Sequence, residues 1–119
     1  MTQCTLRLPT PPSVNAMYRN LSGVGRVKTT KYKDWAQEAG WMLNSQRPHK
    51  FPGPVSISYV FGPKTHSRAW DLSNHLKAVE DLLVTHCIIS DDNNTIITGF
   101  SVAQSPDVEG LQLTIKEAA

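Results

Sequence analysis

Cysteine is scarce in this chain. Cys4 and Cys87 are its only two, far apart and without metal-ligand spacing, which excludes a disulfide scaffold or a thiolate zinc site. No bridge between them is expected in what reads as a cytosolic protein, and both are expected as buried or half-buried thiols. Long apolar runs are missing too: none approaches the roughly 20 residues a membrane helix needs. The N-terminus has no basic segment followed by an apolar stretch, so neither a secretory signal nor a membrane partner is expected. Repeats and low-complexity tracts are absent. A chain of 119 residues has room for one ordinary domain, so residues 1–119 are read as a single unit.

Acidic residues are missing from the first stretch of the chain. None precedes Asp34, whereas Arg19, Arg26, Lys28, Lys31 and Lys33 fall close together. Residues 1–59 hold eight Lys or Arg against two acids, and residues 60–119 hold four against eight, so the net charge of +2 conceals opposed halves. A basic arm beside an acidic half suits a polyanionic substrate, held by one part and acted on by the other. A solvated basic loop accounts for the charge equally well.

Periodicity supplies the elements. Cys4, Leu6 and Leu8 alternate with polar residues as in a strand, which Pro9, Pro11 and Pro12 end. Residues 13–29 read as an irregular loop with turn chemistry at Asn15, Gly23 and Gly25, anchored by Tyr18. Thr29 or Thr30 can cap a helix running to about Gln46, with Tyr32, Trp35, Ala36, Ala39, Met42 and Leu43 on one face. That aromatic stripe reads as core or dimer contact rather than a base-stacking platform. Gly40 weakens the helix by about 1 kcal/mol relative to Ala, so a packing reason for it is expected. Val55, Ile57, Tyr59 and Phe61 define a half-buried strand. A loop with Lys64, His66 and Arg68 leads into a second helix, expected from about Asp71 to His86. Residues 95–103 and 111–115 read as strands joined in an antiparallel hairpin. The order β-α-β-α-β-β implies an α+β (α/β) domain: one mixed sheet with two main helices packed on it. A single layer of this kind leaves surface uncovered, which favours a homodimer.

The chemistry concentrates after Trp70. On a helix turning about 100° per residue, Asp71, Asn74, Lys77 and Asp81 share a third of the wheel, opposite Leu72, Leu76, Val79 and Leu83. With Asp91 and Asp92 downstream, several carboxylates and one lysine can meet. Oxygen ligands of this kind hold Mg²⁺, and Mg²⁺ with a nearby cation is a common way to cleave phosphodiesters. Each piece also has an ordinary structural reading. Asp71 suits an N-cap, Lys77 and Asp81 form an i,i+4 pair, and Asp91 to Asn94 read as a turn.

Several segments together resemble the RusA family of Holliday junction resolvases, small bacterial and phage endodeoxyribonucleases. The opening Leu8-Pro9-Thr10-Pro11-Pro12-Ser13-Val14-Asn15 with Tyr18-Arg19 is similar to that family's first motif. Its central pattern, D-x-D-N-x-x-K followed by A and a later D, is met by Asp71, Asn74, Lys77, Ala78 and Asp81, and its late acid pair by Asp91-Asp92. The resemblance covers nearly the whole chain. It departs at Ser73, which stands where the pattern has its second Asp. The resemblance implies Asp71, Lys77 and Asp92 as catalytic residues. It further implies Asp71, Asp92, Asp81 and Asp91 as candidate ligands of Mg²⁺ (or Mn²⁺), with no organic cofactor. Arg19, Arg26, Lys28, Lys31, Lys33, Arg68 and Asn74 would contact DNA. The implied protein is an intracellular, cytoplasmic homodimer that resolves four-way DNA junctions in recombination and repair, bacterial or phage-encoded. A catalytically inactive junction binder, or a nuclease acting on other branched DNA in a phage, are the alternatives.

Overall fold

The computed structural model describes residues 2–63 and 69–118. Its strands are β1 (Gln3–Leu8), β2 (Tyr18–Leu21), β3 (Gly25–Lys28), β4 (Val55–Phe61), β5 (Ile97–Gln104) and β6 (Leu111–Glu117). Two helices join them, α1 (Thr30–Ser45) and α2 (Lys77–Thr85). Four strands make one mixed sheet in the order β1-β6-β4-β5, with β5 parallel to β4 and the other pairings antiparallel. The expected α+β class and mixed sheet with two helices are therefore present.

Strand order follows apolarity. Val55, Ile57, Tyr59 and Phe61 of β4 and Leu111, Leu113 and Ile115 of β6 are all buried, so these two strands take the centre. Each such side chain contributes roughly 1.5–3 kcal/mol by leaving water. They pack against Tyr32, Trp35, Ala39 and Leu43 of α1 and Val79, Leu82 and Leu83 of α2. The other face is polar, with Thr5 bonded to Thr114 and Ser101 to Ser58. Both helices thus cover one side of the sheet.

The expected β5–β6 hairpin is corrected: β4 lies between the two strands. Residues 105–110 instead cross the end of β4, where Ser105 N–H donates to Phe61 O (3.0 Å) and Gly62 N–H to Gly110 O (2.8 Å). The crossing is close enough that a Cβ on Gly62 would sit 1.9 Å from Val108 O. β5, whose Phe100 is 60% exposed, is left at the edge.

Residues 13–29 are more regular than expected. They hold a short 3₁₀ turn (Val14–Ala16) and the antiparallel hairpin β2–β3, which forms its own two-stranded sheet. Four-residue strands, with Gly23 in the turn and Gly25 opening the second strand, leave no alternation long enough to be read as a strand pair. The hairpin is fixed at its root. Met17 is buried, and Thr29 donates from its hydroxyl to Ala16 O (2.6 Å) and from its N–H to Met17 O (3.0 Å). The same Thr29 hydroxyl accepts from Tyr32 N–H, capping α1 as expected. Trp35 Nε1 donates to Pro9 O (3.0 Å), tying the proline segment to α1. Gly40 has its packing reason: a Cβ there would lie 2.9 Å from His86 Nε2.

Two further expectations change. The second helix does not start at Asp71: residues Leu72–His75 form a 3₁₀ turn, and α2 begins at Lys77. Asp71 and Ser73 bond to each other locally, which tightens the chain into the narrower turn. Cys87 is exposed rather than buried, while Cys4 is half-buried, and both are free thiols. Cys87 has φ +60° at the end of α2, where Ile88 N–H donates to Leu83 O (2.9 Å) and Cys87 N–H to Val84 O (3.0 Å). That is a Schellman closure, with cysteine in the left-handed position that glycine favours. It turns its side chain outward and sends Ile88 and Ile89 into the core.

Candidate active site

The centre of the site is an ammonium group between two carboxylates. Lys77 Nζ lies 2.6 Å from Asp92 Oδ2 and 3.1 Å from Asp81 Oδ1. The Asp81 contact comes from helix spacing, since residues four apart share a face. The Asp92 contact comes from tertiary structure. After α2 ends, Ile88 and Ile89 anchor the chain, and the following turn returns Asp92 to the first turn of the helix. That turn is held by its own side chains. Asp91 accepts from Asp92 N–H (2.7 Å) and from Asn93 Nδ2 (3.0 Å), and Asn93 accepts from Thr95 N–H (3.0 Å).

Charge follows geometry. The Lys77 ammonium holds the Asp92 carboxyl below its usual range, and the hydrogen bond to Asp92 raises Lys77 above the ordinary lysine value. Lys77 is therefore a fixed positive charge at physiological pH and no proton acceptor. Glu80, on the same helix, was not singled out by sequence. It is half-buried, and burial, then the charge of Asp92, raises its pKa. Tyr59 donates its hydroxyl to Glu80 Oε2 (3.4 Å). The only advance signal for Glu80 was its position three residues after Lys77.

A groove of about 250 Å³ opens beside the ion pairs, lined by Tyr18, Lys28, Tyr32, Asp81, Thr85 and Asp92. It brings the hairpin root and the acids together, a juxtaposition with no sequence signal. Burial, then the negative charge of Asp81, pushes the Tyr32 phenol up to about 12. Arg26 lies 4.0 Å over the Tyr18 ring and Lys28 5.6 Å over that of Tyr32.

The remaining expected site residues are not partners in the Lys77–Asp81–Asp92 ion pairs themselves. Asp71 caps the 3₁₀ turn, accepting from Ser73 N–H (3.2 Å) and Ser73 Oγ (2.8 Å). Ser73, where the family pattern has an acid, thus orients Asp71 and adds no charge. Asn74 is exposed, with its N–H donating to Asp71 O. Beneath this turn, buried His75 bonds Asp71 O through Nδ1 (2.7 Å) and packs edge-on against Trp70, which in turn packs on Phe61. Arg19, Arg26 and Lys28 are exposed on the hairpin, and Lys31 and Lys33 on the first turn of α1. The expectations for Lys64, His66 and Arg68 lie outside the described residues.

Among the described residues, no three His, Cys, Asp or Glu side chains gather as a ready-made metal cage. The donor chemistry nevertheless suits a hard divalent ion. Asp81 and Asp92 already converge on one cation, the Lys77 ammonium, and Mg²⁺ characteristically takes one or two carboxylates and completes its shell with water.

A mixed α+β sheet whose central helix carries a lysine between two acids, beside an exposed basic ribbon, has the makings of a phosphodiesterase acting on nucleic acid. Residues 9–116 match the family model for the endodeoxyribonuclease RusA, so the chain belongs to that family. Membership makes it an endodeoxyribonuclease of the junction-resolving kind, a hydrolase that binds branched DNA. No individually curated protein matches the chain.

Proposed function

We propose that this protein is a Mg²⁺-dependent homodimeric resolvase that cuts four-way DNA junctions by paired phosphodiester hydrolysis during recombination and repair. The observation that carries the reading is the contact of Lys77 with both Asp81 and Asp92 beside the basic hairpin. Asp92 and Asp81 would hold Mg²⁺ (or Mn²⁺), with Asp71 and Asp91 the further acids of the site. Such an ion, when bound, acidifies a coordinated water and polarises the scissile phosphate. Lys77, held beside these acids, would neutralise charge that develops on the phosphoryl oxygens. Its contacts with Asp92 and Asp81, which raise its pKa, support a charged ammonium at this position. Arg19, Arg26, Lys28, Lys31 and Lys33 hold backbone phosphates and supply affinity without sequence information.

A four-way junction has approximate two-fold symmetry, so two intact products require paired nicks and two sites related by a two-fold axis. A homodimer provides them. The exposed Phe100 on edge strand β5 and the exposed Trp41 on α1 support a second copy as partner. No helix among the described residues is long and apolar enough to cross a membrane, and a DNA substrate supports the reading of an intracellular protein.

The test is incubation of an end-labelled four-way junction with and without Mg²⁺. Symmetric paired nicks that need the metal are expected. Tight junction binding with no cleavage in Mg²⁺ or Mn²⁺ would instead make the chain a junction-binding protein, with Ser73 marking a lost catalytic set. Cleavage of flaps or three-way junctions in preference to four-way junctions would assign it to other branched DNA.

A further inference from the structure

The β2–β3 hairpin is built unlike the rest of the molecule. Its tip, Leu21 to Gly25, stands in open space: a Cβ added at Gly23 or Gly25 would meet nothing within 4 Å. Both glycines have positive φ, and Val24 N–H donates to Leu21 O (3.0 Å) to close the turn. Yet the tip displays apolar side chains to water, with Val24 68% and Leu21 40% exposed. A solvent-facing turn has no folding reason to carry them.

The flanks identify the partner. Directly paired residues share a face, so Tyr18, Asn20, Arg26 and Lys28 lie on one side of the ribbon and Arg19 and Leu21 on the other. The first side begins at the groove with Asp81 and Asp92, and Arg26 is braced over Tyr18. No acidic residue occurs in the chain before Asp34. An apolar tip on a basic, acid-free ribbon is complementary to nucleic acid. The charges hold phosphates, and the apolar side chains replace a stacking partner where bases separate.

We propose that the β2–β3 hairpin is a wedge whose Leu21 and Val24 insert at the unstacked centre of branched DNA while Arg19, Arg26 and Lys28 clamp the flanking phosphates. This rests on the branched-DNA reading above and adds to it the element that discriminates a branch point from continuous duplex. A duplex offers no open stack, so inserting the tip there would cost a few kcal/mol per broken step. At a branch point that cost is already met by the DNA.

The experiment uses the full-length protein, in EDTA to prevent cleavage, with a four-way junction carrying 2-aminopurine at its centre. Wild-type binding is expected to raise the fluorescence, because the inserted tip keeps the open central base from restacking. The Leu21→Ser, Val24→Ser double variant is expected to lose that rise and to lower the ratio of junction to linear-duplex affinity, with unchanged circular dichroism. An undiminished rise with an unchanged affinity ratio overturns the wedge while leaving the nuclease reading standing. Conversion from dimer to monomer in sedimentation also overturns it, because the tip would then be a contact between copies. If the wild-type protein binds no junction, the branched-DNA reading fails and the wedge with it.

Discussion

The turn carrying Asp91 and Asp92 and the β2–β3 hairpin reach the same groove, yet the turn is held by a net of side-chain hydrogen bonds and the hairpin mainly at its root. In the turn, Asp91, Asn93 and Thr95 bond one another, and Asp92 is clamped to Lys77. The hairpin is pinned at its root by Met17 and Thr29 and has an unsupported tip. One region presents charge already arranged before substrate arrives, which is what electrostatic catalysis requires. The other presents charge and apolar surface on a projecting ribbon, which is what contact with a large substrate requires. On the proposed function, the difference would separate the chemistry from the recognition, and it can be broken at either end.

The largest effect is expected at the ammonium. Lys77→Met should reduce single-turnover junction cleavage by about 10²–10³-fold, as for loss of one preorganised charge donor, with junction binding retained. A variant that cuts normally would place the chemistry elsewhere. On the hairpin the expectation is the reverse. Arg19→Ala combined with Arg26→Ala should weaken binding to all DNA and lower the salt slope of binding by about 2, roughly 0.9 per phosphate contact. Titration of affinity against salt reads this out, and an unchanged slope would remove these arginines from the interface.

Acid should act on the turn. The Asp92 pKa is depressed by Lys77, so its contribution to stability is present above the unfolded carboxylate value and fades as pH falls through the folded one. Because both groups are partly exposed, that contribution is at most about 1 kcal/mol. Urea midpoints of wild type and Asp92→Asn should therefore differ near neutral pH and converge as pH falls below the ordinary carboxylate range. The smallest effect concerns how the turn is launched. Cys87→Gly should raise stability by about 1 kcal/mol or less, by relieving the left-handed residue that ends α2. Thermal melts decide this, and destabilisation would mean that the thiol makes a contact of its own.

Much of this arrangement was legible from sequence. Alternation marked β1, β4 and β6, the capped apolar stripe marked α1, and motif order marked the family. Several ordinary readings also hold: Asp71 is a cap and Lys77 and Asp81 are an i,i+4 pair, while the turn expected over residues 91–94 is a bend that leads into a turn closed from Asn93 to Ile96. They coexist with the site because the same local bonds position its acids. What stayed hidden was non-local. Nothing in residues 105–110 says that they cross the end of β4 rather than close a hairpin. The 3₁₀ turn after Asp71 defeats a wheel drawn at helical pitch. The β2–β3 strands are too short to show a period, and that Tyr18 and Lys28 reach Asp81 and Asp92 depends on the packing of α1 against α2.

The central claim is that Asp92, Lys77 and Asp81 act as one charged centre distinct from the DNA-holding surface. Parallel measurement of junction affinity and Mg²⁺-dependent cleavage for Asp92→Asn tests it most directly. The account predicts cleavage lost at every Mg²⁺ concentration while affinity in EDTA stays at or above the wild-type level, since one negative charge has been removed and the basic hairpin is untouched. Normal cleavage by this variant, or loss of binding in step with loss of cleavage, would contradict it.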